Sequence, residues 1–80
     1  MSADNEQIRA DIDKALNRLS ALRDEARVKI HLGSMDARDA WERLQPKLAE
    51  AERAAGEAST AALALVEATV KKLSDLVGAL

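Results

Sequence analysis

The sequence predicts an all-α protein, and three observations lead there. Ala, Leu, Glu, Arg and Lys dominate the 80 residues, and these are the strong helix formers. Only three Gly and one Pro are present to break a helix. Apolar residues recur at alternating steps of three and four along most of the chain, the signature of a helix with one buried seam.

The first helix is expected over about residues 4–32. Asp4 is placed to cap it, with Gln7 three residues on reaching back in a capping-box arrangement. Its seam runs Ile8, Ile12, Ala15, Leu19, Leu22, Ala26, and Leu16 and Ile30 widen the stripe. Arg9, Asp13, Arg18, Asp24 and Glu25 occupy the opposite face. At Gly33 the seam slips, which marks a turn over about 33–36 with Ser34 and Asp36 as alternative N-caps for the next helix.

A new phase starts at Ala37 and continues through Trp41, Leu44, Leu48, Ala51, Ala55, Ala58, Ala62, Leu65, Thr69, Lys72, Leu76 and Ala79. Every step is three or four, in strict alternation. This predicts one long helix over about 37–79, with 56–60 as the place where it could break. Pro46 falls at an outward position, where its kink faces water. Gly56 weakens the helix locally, and Ser59 is a candidate cap for a separate third helix. A second stripe, Leu63, Val66, Val70, Leu73, Val77 and Leu80, makes the C-terminal segment apolar over a wide arc. A helix with two apolar seams needs two neighbours.

Two architectures satisfy these patterns. In an antiparallel helical hairpin, a first helix of about 42 Å folds against a second of about 66 Å, leaving an apolar overhang that only an oligomer covers. In a monomeric three-helix bundle, a turn near Gly56–Thr60 folds the third helix back onto the first two. The uninterrupted heptad favours the hairpin, and the Gly-Glu-Ala-Ser-Thr stretch favours three helices. Either way the ten residues expected at an interface are Trp41, Leu44, Leu63, Leu65, Val66, Val70, Leu73, Leu76, Val77 and Leu80.

Composition excludes several functions. With no Cys and one His, there is no disulfide framework, thiol nucleophile or Cys-based zinc site. A single Trp with no Phe or Tyr leaves no platform for stacking bases. Twelve Lys and Arg against fourteen Asp and Glu give a net charge of −2, which does not attract nucleic acid. The polar, acidic N-terminus lacks a secretory leader pattern, so a soluble cytoplasmic protein is expected.

The residues that could carry chemistry read more simply as structure. His31 has no second His or any Cys to complete a metal or acid–base site, and its place near a helix end suits contact with exposed carbonyls. Asp36, Asp39, Glu50 and Glu52 share a helix with Arg38, Arg43, Lys47 and Arg53, the pattern of a solvated face. Glu25–Lys29, Asp39–Arg43 and Glu67–Lys71 are spaced to form i,i+4 pairs. The cations Arg18, Arg23, Arg27 and Lys29 are interspersed with acids, which argues against a phosphate site. Trp41 is the largest apolar anchor, suited to a core or to a partner contact. Ile8, Leu19, Ile30 and Trp41 recur every eleven residues, a spacing found in lipid-surface helices, but the series stops at Glu52.

The segment from Leu22 to Leu48, with His31, Leu32, Ala37, Trp41 and Leu44 as its distinctive residues, resembles a group of small bacterial coiled-coil proteins. These are labelled stress-response or apolipoprotein-like. The Ala-rich tract and the final amphipathic stretch from Glu57 to Leu80 extend the resemblance. Pro46 and the lack of an aromatic residue in the last helix depart from it. The resemblance implies a bacterial, cytoplasmic, non-enzymatic helical protein, and supplies no cofactor or ligand. The expected function is a structural or protein-interaction module that self-associates through its seams. The alternatives are an amphipathic lipid-surface or stress-related protein, and a small adaptor that folds onto a larger partner.

Overall fold

A computed structural model describes residues 3–80, with side chains from Glu6 onward. Three α-helices follow one another: α1 (Ala3–Lys29), α2 (Met35–Ala54) and α3 (Thr60–Ala79). Short 3-10 segments, Ile30–Leu32 and Ala55–Glu57, lie at the two junctions. Among the described residues there is no strand.

α1 begins at Ala3, one residue ahead of the expected cap. The side chain of Asp4 lies outside the described residues, and Gln7 reaches forward, donating from Nε2 to Asp11 Oδ1 at 3.0 Å. The predicted seam is otherwise the one used. Ile12, Leu19 and Ala26, each seven residues apart, are buried, as is Ile30, while Ile8, Ala15, Leu16 and Leu22 are half-buried beside them.

The chain then tightens into the 3-10 turn and stops at Gly33, whose N–H bonds to Ile30 O at 3.1 Å. Gly33 has φ −79 and ψ 165, extended backbone open to any residue, so it is not the left-handed helix cap that a glycine there suggests. Its small size serves packing instead. A Cβ here would stand 3.0 Å from Leu80 Cδ2 and 3.3 Å from Ala37 Cβ. Of the two candidate caps, Ser34 is the one that forms: its hydroxyl accepts from Ala37 N–H at 3.2 Å.

α2 buries Leu44, Leu48 and Ala51. Pro46 lies on its exposed side, as its seam phase requires, and Gln45 Nε2 donates to Trp41 O at 3.2 Å in the same turn. The helix ends at Ala54, so the continuous helix over 37–79 does not form, and the architecture is the three-helix alternative. Two residues make the break. Ala58 adopts the left-handed conformation, φ 49 and ψ 46, the only non-glycine among the described residues with positive φ. A β-carbon there costs on the order of 1 kcal/mol. Ser59 then turns extended and its hydroxyl accepts from Ala62 N–H at 3.1 Å, opening α3. Gly56, the obvious breaker in the sequence, has no positive φ, and a Cβ on it would meet nothing.

α3 packs against both other helices. Its end returns to the first junction, where Leu80 meets Gly33, so α1 and α3 run the same way and α2 runs against them. The result is a rod of 48 × 17 × 14 Å. The two apolar stripes of α3 both find neighbours. Ala62, Val66, Thr69, Val70, Leu73 and Val77 are buried, and Leu63, Leu65 and Leu76 are half-buried on the flanks. Thr69, the one buried polar residue among those described, donates its hydroxyl to Leu65 O at 2.8 Å, so burial does not leave it unpaired. The apolar overhang that made an oligomer obligatory for the hairpin is thus covered by the chain itself.

Candidate functional site

The ten residues expected at an interface are placed in the chain's own core. Leu44, Val66, Val70, Leu73 and Val77 are buried, and Trp41, Leu63, Leu65, Leu76 and Leu80 are half-buried against them. The apolar surface left outside lies elsewhere, around the α1–α2 junction. Val28 is 73% exposed, Leu32 92% and Met35 79%. These three fall within eight consecutive positions at one end of the rod, spaced four and three like a seam but outside both predicted seams. A seam assigns apolar residues inward only while its helix continues. Leu32 instead sits in a 3-10 turn and Met35 in the first turn of a new helix, where the seam no longer governs direction.

That end is held firmly. Leu80 packs over Gly33 on the inner side. Arg38 Nη2 reaches back across the turn and donates to His31 O at 3.1 Å, closing the end of the 3-10 segment. The carbonyl contact expected of the His31 ring is therefore made by Arg38, and His31 itself is exposed. Ser34 caps the outgoing helix, and Lys29 Nζ lies 3.4 Å from Glu25 Oε1. Leu32 and Met35 are thus displayed on an ordered turn.

Two of the grooves along the described residues are large enough to consider. One, of about 620 Å³ between α1 and α3, has Ala15, Leu63 and Val70 in its lining and a balanced rim of Asp11, Glu67 and Asp75 with Lys14, Arg18 and Lys71. Equal numbers of each sign give it no net preference for a charged ligand. The other, of about 370 Å³ between α1 and α2, is bordered by Leu16, Leu19, Arg23 and Glu52. Arg23 Nη1 donates to Glu52 Oε1 at 2.6 Å, an ion pair 29 residues apart that joins α1 to α2. Helical spacing gives no hint of such a pair. Arg23 Nε is enclosed without a hydrogen-bond partner. Of the three expected i,i+4 pairs, only Glu25–Lys29 comes within 4 Å among the described residues.

Across α2 and α3 two cations approach each other. Lys72 is held below the ordinary lysine value, chiefly by the close donor-to-donor approach of the Lys47 amine, then by repulsion from the Lys47 charge, and last by desolvation. Among the described residues no group of three His, Cys, Asp or Glu gathers into a possible metal site. No described helix is long and apolar enough to cross a membrane. The chain matches no protein-family model, no curated protein and no solved structure.

Proposed function

We propose that the chain is a non-enzymatic helical interaction module that self-associates, with the α1–α2 end as its contact surface. The observation that carries this reading is the exposure of Val28 at the end of α1, Leu32 in the 3-10 turn and Met35 at the start of α2, all at one end of the rod. Scattered single apolar residues on a surface mean little, but a cluster of large ones marks an interaction site. An ordered turn also loses little conformational freedom on docking. The resemblance to small bacterial coiled-coil proteins supports a helical assembly role in a bacterial cytoplasm.

Light-scattering molar mass measured from micromolar to millimolar chain tests the reading. Association is expected to weaken about tenfold or more in Leu32→Ser/Met35→Ser, with the helical circular dichroism unchanged because neither side chain belongs to the core. A strictly monomeric protein at every concentration refutes self-association. Flotation with anionic vesicles that the same substitutions abolish would instead assign this surface to a lipid partner.

A further inference from the structure

We propose that two copies of this chain exchange α3, forming a dimer in which α2 and α3 of each copy straighten into one helix and each α3 packs on the α1 and α2 of the other. The inference rests on the self-association proposed above and gives it a second route, through α3 rather than through the α1–α2 end.

The hinge is unusually small. Ala54 and Ala55 are in the right-handed helical region, and Ala55–Glu57 is already a tightened helix. Only Ala58 and Ser59 leave that region, and Ala58 does so with a β-carbon that opposes it. Returning these two residues to helical geometry removes the strain at Ala58 and joins α2 to α3. No glycine has to be accommodated in an unusual conformation, since Gly56 takes none.

The side-chain pattern fits the straight form as well as the bent one. Leu44, Leu48, Ala51 and Ala55 are buried on α2 and its 3-10 extension, and Ala62, Val66, Thr69 and Leu73 on α3. Counted through the break, 51, 55, 58, 62 keep the alternation of four and three. At the other junction, Gly33, the seam slips as a committed turn allows. A continuous phase across the second junction means that a straight helix would present one uninterrupted apolar face. Ala54, Ala55, Ala58 and Ala62 are small enough for two such helices to cross closely where the hinges meet.

Exchange preserves the core, because every contact that α3 makes within one copy is made again in the other. The residues on α3 expected at an interface, Val66, Val70, Leu73 and Val77 among them, then become contacts between chains. What holds the bent form is the Ser59 cap on Ala62 and the entropy of remaining a monomer. Concentration and transient release of α3 therefore favour the dimer.

The experiment uses the full chain, refolded at millimolar concentration and then diluted. Dimer fraction is read by light scattering, and subunit exchange by mixing dimers carrying different fluorophores. Ala58→Gly relaxes the bend and disfavours the straight helix, so the dimer is expected to fall about tenfold or more. Gly56→Ala/Ser59→Ala does the opposite by removing the cap and strengthening the helix, and should raise the dimer by a similar factor. Exchange between dimers should take as long as unfolding, because α3 must leave its site. A dimer that ignores both hinge substitutions, or that exchanges within seconds, overturns α3 exchange; if Leu32→Ser/Met35→Ser abolishes that dimer, the self-association reading stands without it. A monomer in every variant at millimolar concentration overturns both.

Discussion

The two junctions of this protein solve the same problem with different means. Between α1 and α2, five residues carry a capping serine and a glycine against which Leu80 packs, and a guanidinium from α2 bonds back across the turn. Between α2 and α3, a serine cap is again present, but the reversal is made by an alanine in the left-handed region while the nearby glycine is conformationally idle. The first turn is determined by several independent contacts and displays apolar side chains outward. The second is held by one cap against local strain. A turn's rigidity therefore comes from how many separate interactions demand it, and breaker residues alone do not report this.

Among the residues of the two junctions, Ile30 is the one whose truncation should matter most. Ile30, the first residue of the 3-10 turn, is buried at 8% exposure. Ile30→Ala should cost about 2 kcal/mol or more, lowering the thermal midpoint by roughly 10 °C in a chain of this size. Ala55 holds the equivalent place at the second junction and is already minimal, so no truncation there removes comparable burial. If Ile30→Ala costs less than Ser59→Ala in urea unfolding, the first junction is not the better anchored of the two.

Next come the caps. Ser34→Ala and Ser59→Ala each remove one bond to an otherwise unpaired helix N–H, worth about 1 kcal/mol. The arithmetic is equal for both, yet the outcome should differ. At the first junction the Arg38–His31 bond and the Leu80–Gly33 contact still define the turn. At the second nothing comparable remains, and hydrogen exchange at the start of α3 should quicken more than at the start of α2. Equal acceleration at both starts would erase the distinction. Ala58→Gly tests it from the other side: the relief of strain outweighs the added freedom of the unfolded chain, and the variant should gain about 0.5–1 kcal/mol.

This contrast also explains which parts of the fold are legible in the sequence. Helical composition, the α1 seam and the caps Ser34 and Ser59 are local signals, and the structure uses each of them. The choice between hairpin and three helices is not local. Side-chain periodicity reports which face is apolar, and that face is the same whether the chain bends at Ala58 or runs straight. Within a single chain only the bent form lets α3 dock beside α1 and α2, and that burial is a property of the whole bundle. The exposed Leu32 and Met35 escape notice for a related reason: both lie between the two predicted seams, where periodicity does not say which apolar residues a turn leaves outside. The Arg23–Glu52 pair depends on how α1 and α2 pack, bringing together residues 29 apart in sequence.

Charge extends the comparison, with a weaker effect. The first junction neutralises what it gathers, through Lys29 with Glu25 and Arg38 with a carbonyl. The packing of α2 against α3 brings Lys47 to Lys72, two groups of like sign, and depresses Lys72 below its ordinary value of 10.5. The unfolded chain then binds more protons than the folded one at pH values between the depressed and the ordinary value. Stability must therefore rise as pH climbs through that window, with the penalty fully present below it. Lys47→Glu replaces repulsion by attraction. It should stabilise the protein slightly at neutral pH, flatten the alkaline rise, and reverse the response to added salt, since screening relieves a like-charge pair and weakens an opposite one. Urea midpoints at pH 7 and at alkaline pH, each with and without salt, measure all three; an unchanged salt response would mean that the two lysines avoid each other in solution and that the α2–α3 contact carries no electrostatic strain.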